Sequence, residues 1–250
     1  MNSITASGES VRPSRVQQIL ADLVEVPGDN VALPDQLCAA CAEALPVNGV
    51  GLAFMSAKDH GGAIAATDGP ARELEGIQLD LGEGPCVEAS RGGRPVLLPD
   101  LARTGHARWP GFTPAALDAG VAAIFAFPLQ VGGIRLGVLD LYRDTVGDLD
   151  DDDLVVALAF ADAATVLLLH LQGSTEAGSG LHPQLSDPIE DRPAVHQATG
   201  MISVQAEVGL SEALLLLRAN AYAAGRPTLQ AAQDVVGRRL RFAPEDDHHE

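Results

Sequence analysis

Two apolar runs, residues 121–131 and 134–142, are joined only by Gly132-Gly133. A pair of glycines supplies the positive φ angles of a tight turn, so this stretch predicts two paired antiparallel strands. An isolated hairpin is marginal in water, so it needs further strands beside it and a layer against its apolar face. The chain offers both. Residues 49–56 (GVGLAFMS) and 63–67 read as short strands around Asp59-His60-Gly61-Gly62, a turn composition, and 95–98 reads as another strand after Gly92-Gly93.

Helices precede and follow these strands. Val16, Ile19, Leu20 and Leu23 recur at helical spacing before Pro27-Gly28, and a second helix from about Pro34 puts Leu37, Cys38, Cys41 and Leu45 on one side. A nearly wholly apolar helix is predicted over 154–171, preceded by Asp148 and Asp150 to Asp153. Those acids face the partial positive charge of a helix N-terminus and read as a cap. They lack the fixed glycine and distant glutamate of a calcium loop, so no metal site is expected there. Strands gathered between helices predict an α+β fold with an antiparallel sheet.

Charge divides the chain. The net charge is -18, which by itself opposes binding to a polyanion. Between Arg192 and Phe242, however, six basic residues face three acidic ones, so this segment carries +3 and the remainder -21. That asymmetry predicts two parts with different partners. Residues 172–190, rich in Gly, Ser and Pro, have linker composition. The expected organisation is a tail (1–13), a domain (14–171), a linker (172–190), a helical module (191–243) and an acidic tail (244–250).

The start of the chain has no apolar signal core, and no membrane-spanning segment is expected, hence a cytoplasmic protein. Three cysteines, Cys38, Cys41 and Cys86, fit a reducing compartment. Cys38 and Cys41 have metal-like spacing without a second pair and share an apolar helix face, which reads as core packing. The seven histidines are scattered and form no recognisable catalytic set, so neither enzyme activity nor a cofactor is expected.

The run Gly82-Glu83-Gly84-Pro85-Cys86-Val87-Glu88-Ala89, then Pro95-Val96, Pro99-Asp100-Leu101, Trp109-Pro110, Phe127-Pro128-Leu129 and 136–142 (LGVLDLY), resembles GAF domains of bacterial regulators. The resemblance implies a six-stranded antiparallel sheet, helices packed on it and a pocket on the opposite face for an unidentified small molecule. Gly82-x-Gly84 lacks the third glycine of a phosphate-binding loop. Free methionine-R-sulfoxide reductases are GAF proteins with cysteine nucleophiles, which leaves a thiol redox enzyme as an alternative; only Cys86 lies in the corresponding region.

In the last segment, Pro193 suits a first helical turn, Gly209 and Gly225 stop helices, and Ser211 and Thr228 suit N-caps, which predicts three short helices. The pattern Arg192-(x)3-His196-Gln197-Ala198-Thr199-Gly200-Met201, then Gly209-Leu210-Ser211-Glu212-Ala213-(x)3-Leu217-Arg218-(x)2-Ala221, then Leu229-(x)2-Ala232-(x)2-Val235-Val236, resembles the ANTAR domain. That resemblance implies a three-helix bundle, binding as a homodimer to RNA hairpins, and transcription antitermination under control of the attached sensor. Thr199 stands where that family commonly has a lysine, which removes a phosphate-binding charge.

The candidate RNA-binding residues are Arg192, Gln197, Thr199, Arg218, Arg238 and Arg239, since arginines hold phosphates and polar groups read unstacked bases. Arg218 has a second reading as a side chain lying over the core or paired with Glu212 or Asp234, and Arg238, Arg239 and Arg241 have one as a basic helix C-terminus. The helix over 154–171 is a candidate dimer seam through Ala157, Ala161, Ala164 and Leu168. A module that docks a partner protein is the remaining alternative function.

Overall fold

The computed structural model describes residues 6–25, 32–54, 62–67, 69–173 and 192–242. They fall into two compact units, Met1–Asp187 and Pro188–Glu250.

The first unit is built on the hairpin that the Gly-Gly turn predicts. Strands β4 (Ala123–Val131) and β5 (Ile134–Arg143) pair antiparallel with Val131 opposite Ile134, and Gly132 has φ 57°. Strands β1 (Gly49–Phe54), β2 (Gly62–Ala66) and β3 (Val96–Leu98) complete a sheet of order β2-β1-β5-β4-β3, with every pairing antiparallel. The turn expected at Asp59-His60-Gly61 lies outside the described residues. Five strands are present among the described residues where the family resemblance implied six. Between β2 and β3 the chain instead forms helices α3 (Pro70–Leu81) and α4 (Pro85–Gly92). A proline opens each helix in its first turn, and Ala71, Leu74 and Gln78 recur at helical spacing on the buried side of α3.

Strand alternation sorts side chains to two faces. Leu52, Phe125, Phe127, Leu139 and Leu141 form one core with α1 (Ala6–Glu25), α2 (Leu33–Ala44) and α7 (Asp151–Gly173). Ala53, Ile124, Ala126, Val138 and Tyr142 form the other, beneath α3, α4, α5 (Leu101–Arg108) and α6 (Phe112–Asp118). Cys38 and Cys41 are buried in the first core. Helix α1 begins at Ala6 rather than at Ser14, so most of the expected tail is helical; once residues 16–23 are packed, adding turns to a formed helix needs no new nucleus. As the acid cluster predicts, Asp150 Oδ1 accepts from the Asp153 amide at 2.7 Å at the start of α7.

One expectation for α7 is corrected. Ala157, Ala161, Ala164 and Leu168 are buried in the core of their own unit, so they form no exposed seam; Val155, Val166 and Leu169 are the exposed apolar residues of this helix. Residues Asp151–Gln172 also have the length and mean hydropathy of a membrane span. Half of this stretch is buried, and it serves as the central helix packed on the sheet.

The second unit comprises α8 (Arg192–Gln205), α9 (Leu210–Ala223) and α10 (Thr228–Val236) around Ala198, Ile202, Ala213, Leu217, Ala231, Ala232 and Val235. Gly209 and Pro227 take the N-cap positions expected of Ser211 and Thr228, so each helix starts one or two residues early.

Candidate functional site

The α3–α6 face of the sheet holds a group of fully buried polar side chains. Glu75 and Gln78 project from α3, Cys86 from the first turn of α4, and Asp140 and Tyr142 from β5. Positions 140 and 142 are two apart on a strand, and 75 and 78 are three apart on a helix, so each pair faces the same space. Tyr142 donates its hydroxyl proton to Glu75 Oε1 at 2.7 Å and accepts from Gln78 Nε2 at 3.0 Å. The Cys86 amide donates to Gln78 Oε1 at 2.8 Å. One ligand atom from each of Glu75, Cys86 and Asp140 lies within 4.8 Å of the other two.

Two glycines make this group fit. A Cβ on Gly51 of β1 would lie 2.0 Å from Glu75 Oε1, and one on Gly84 would lie 2.5 Å from Gln78 Oε1. Gly84 also has φ 132°, a region that side-chain-bearing residues rarely adopt. The Gly-Glu-Gly-Pro-Cys motif thus delivers Cys86 into the cluster, and its Glu83 caps α6 by accepting from the amides of Gly111 at 2.6 Å and Phe112 at 2.8 Å.

Burial governs the electrostatics. Desolvation pushes the Glu75 carboxyl up to about 7, opposed by the hydrogen bond from Tyr142 and by the adjoining Asp140 carboxyl. Burial first, and then the facing Glu75 charge, raise Asp140 well above the usual carboxylate range, and burial likewise raises the Cys86 thiol and the Tyr142 phenol. Glu75 Oε2 and both Asp140 oxygens have no hydrogen-bond donor as ionised groups. A proton kept on one carboxyl gives the other a donor.

A cleft of about 180 Å³ opens beside Tyr142, between Gly49, Ala71 and Val121. On the opposite face, a groove of about 720 Å³ lies between α1, α2 and α7, floored by Ile19, Leu23, Val156 and Phe160 and edged by Arg15, Asp22 and Glu43.

This sheet order, the helices on its two faces and the Gly-Pro-Cys loop are the setting for a family comparison, and residues 32–168 match the GAF domain model. The chain belongs to the GAF domain family. Among solved structures, the GAF domain from an Acinetobacter phosphoenolpyruvate-protein phosphotransferase is similar at 12% identity and TM-score 0.51, covering 66% of this chain and 97% of that one. Free methionine-R-sulfoxide reductase from Neisseria meningitidis, in complex with its substrate, is similar at 18% identity and TM-score 0.49, covering 70% and 98%. A GAF sensor protein from Burkholderia vietnamiensis is similar at 20% identity and TM-score 0.45, covering 64% and 94%. No curated protein matches the sequence significantly.

Of the GAF residues in the cluster, only Cys86 was singled out from sequence for its chemistry. Glu75, Gln78 and Tyr142 lie 64 or 67 residues apart along the chain where they bond. The available signal was a glutamate and a glutamine on the apolar side of α3.

The sequence-derived positions of the helical unit are spread over its three helices. Gln197 is exposed on α8, whereas Thr199 is only 5% exposed and donates its hydroxyl to Val195 O at 2.7 Å. Arg192 begins α8, and its side chain lies outside the described residues. Arg218 is half-buried on α9. Arg238 and Arg239 are exposed just after α10, with Arg238 in the left-handed region at φ 58°. Asp234 Oδ1 accepts from Arg239 Nε at 2.7 Å, and Asp234 Oδ2 accepts from Arg226 Nη1 at 2.5 Å. These arginines hold the Asp234 carboxyl below its ordinary range. Tyr222, which sequence reasoning did not select, is 67% exposed on α9.

Proposed function

We propose that the GAF domain is the sensor of a one-chain regulator whose ANTAR-like helical unit binds RNA hairpins as a homodimer and acts by transcription antitermination. The observation that carries the reading is the sequence pattern of Arg192, Gln197, Gly200, Ala213, Leu217, Arg218, Ala221 and Ala232 within a unit that is basic inside an acidic chain. The fold of that unit agrees with the pattern: Ala213, Leu217, Ala221 and Ala232 form its core, while Gln197, Arg238 and Arg239 remain at the surface.

The expected chemistry follows from this placement. Exposed guanidinium groups neutralise phosphates, and the Tyr222 ring offers a flat face on which an unstacked loop base rests. Thr199 is buried and spends its hydroxyl on Val195 O of its own helix, so it offers a phosphate less than the exposed positions do. In the GAF unit, complete burial keeps the Cys86 thiol protonated, which favours a sensor over a thiol redox enzyme.

The deciding experiment is a salt titration of the full chain against tandem-hairpin RNA. Affinity falling linearly with the logarithm of salt, with a slope reduced in Arg238→Ala, supports the reading. Salt-independent binding, or binding unchanged by Arg238→Ala together with Arg239→Ala, overturns it. Partner proteins that remain bound to the helical unit after nuclease treatment would favour a protein-docking module instead.

A further inference from the structure

We infer that Glu75, Asp140 and Cys86 form a binding site for one thiophilic divalent metal ion of the Zn(II) or Co(II) class, in the GAF unit between α3, α4 and β5. The site is built rather than incidental. All three residues are fully buried, and their ligand atoms lie within 4.8 Å of one another. Some point therefore lies within about 2.8 Å of all three atoms, and side-chain adjustments of about 0.5–0.8 Å reach ordinary Zn–S and Zn–O lengths.

A second observation points to a cation. Both oxygens of Asp140 and Glu75 Oε2 are buried acceptors without donors. A proton shared between the two carboxyls still leaves at least one of these acceptors unpaired in the interior, which is costly. A divalent ion satisfies them together.

The surroundings match what a metal ligand requires beyond its first contact. Gln78 donates to Tyr142, which in turn donates to Glu75 Oε1, so this chain of bonds fixes the carboxylate and leaves Oε2 without a partner of its own. Gly51 and Gly84 leave the volume that Glu75 and Gln78 occupy.

Donor chemistry selects the ion class. A thiolate with two carboxylates suits a borderline ion taking four ligands, whereas calcium and magnesium require six or more oxygens. Binding displaces the cluster's protons into solvent and involves no redox step.

The test uses the full chain stripped with chelator, kept reduced and titrated with Co(II) without RNA, so its outcome is independent of the RNA-binding reading. The expected result is one equivalent of Co(II) with a near-ultraviolet thiolate charge-transfer band. The band persists in Cys38→Ser/Cys41→Ser and is lost in Cys86→Ser, and Asp140→Asn weakens binding by at least about 10-fold. A band that is absent, that survives Cys86→Ser, or that vanishes with Cys38 and Cys41 overturns the assignment. Cadmium-113 resonance of the unsubstituted chain decides the matter if Cys86→Ser does not fold: a shift typical of a single thiolate ligand supports the site, and a shift typical of two thiolates or of free cadmium refutes it.

Discussion

Gly51 and Glu75 share one volume: a Cβ at position 51 would stand 2.0 Å from Glu75 Oε1, a separation no real pair of atoms adopts. Gly51 lies opposite Asp140 in the β1–β5 pairing, so the absence of its side chain keeps the carboxyl of α3 over the strand that carries the second acid. Gly51→Ala is therefore expected to destabilise the GAF unit by about 1–3 kcal/mol through overpacking. Glu75→Ala in the same chain should recover about 1 kcal/mol or more of that loss, giving a clear coupling energy in a double-mutant cycle. Trp109, the single tryptophan, is buried on this same face, so its fluorescence during urea unfolding reads the GAF unit alone. Additive effects would show that the two positions do not compete for space.

Metal-free protein should lose stability as pH rises from about 4.5 to about 7. Glu75 titrates near 7 in the fold and near 4.5 when unfolded, so within that window the folded state holds the extra proton. Its stabilising effect is complete below the unfolded value and is lost as pH climbs to the folded one, with a span on the order of 3 kcal/mol. Asp140, Tyr142 and Cys86 face the same carboxyl and are themselves shifted up by burial. Glu75→Gln should flatten this part of the profile in a Trp109-monitored urea series; an unchanged slope would remove Glu75 as its cause.

Asp234 restrains two arginines, Arg226 and Arg239, at the basic end of the helical unit. Asp234→Asn is expected to raise RNA affinity several-fold and to steepen its salt dependence, since removing one negative charge frees guanidinium groups for phosphates. Equal or weaker binding at low salt would show that the arginines serve only to hold Asp234.

Arg238 occupies the left-handed backbone region at φ 58°, which glycine adopts freely. Arg238→Gly should leave the thermal stability of the helical unit unchanged or raise it by a few tenths of a kcal/mol, while reducing the salt slope of RNA binding by about one. A loss of stability comparable to the loss of affinity would argue that the side chain is structural.

Tyr222→Ala is expected to weaken RNA binding by about 1–3 kcal/mol with the salt slope intact, because a stacked base contributes without neutralising a phosphate. Titrations at two salt concentrations separate this outcome from that of the arginine variants. A changed slope would assign Tyr222 to folding of the basic end instead.

The sequence by itself determined the local elements of this protein. Gly132-Gly133 between apolar runs admits little but a hairpin, the acids before α7 complement a helix dipole, and the charge contrast between Arg192–Phe242 and the rest is a property of composition alone. The motif residues from Gly82 to Cys86 were likewise legible, although not the reason for Gly84, which is space for Gln78. Tertiary structure decided whatever depends on distance across the fold. Helices α5 and α6 went unread because such short helices carry little periodic signal, and α3 because Glu75 and Gln78 put polar residues on its buried side. Ala157, Ala161, Ala164 and Leu168 matched a seam in sequence and a core in space, since a helix pattern names its apolar face but not what covers it. The polar cluster was the least legible of all: Glu75, Asp140 and Cys86 look unexceptional one at a time, and only the packing of α3 and α4 over β5 brings three titratable side chains into one dry volume where their burial has chemical consequence.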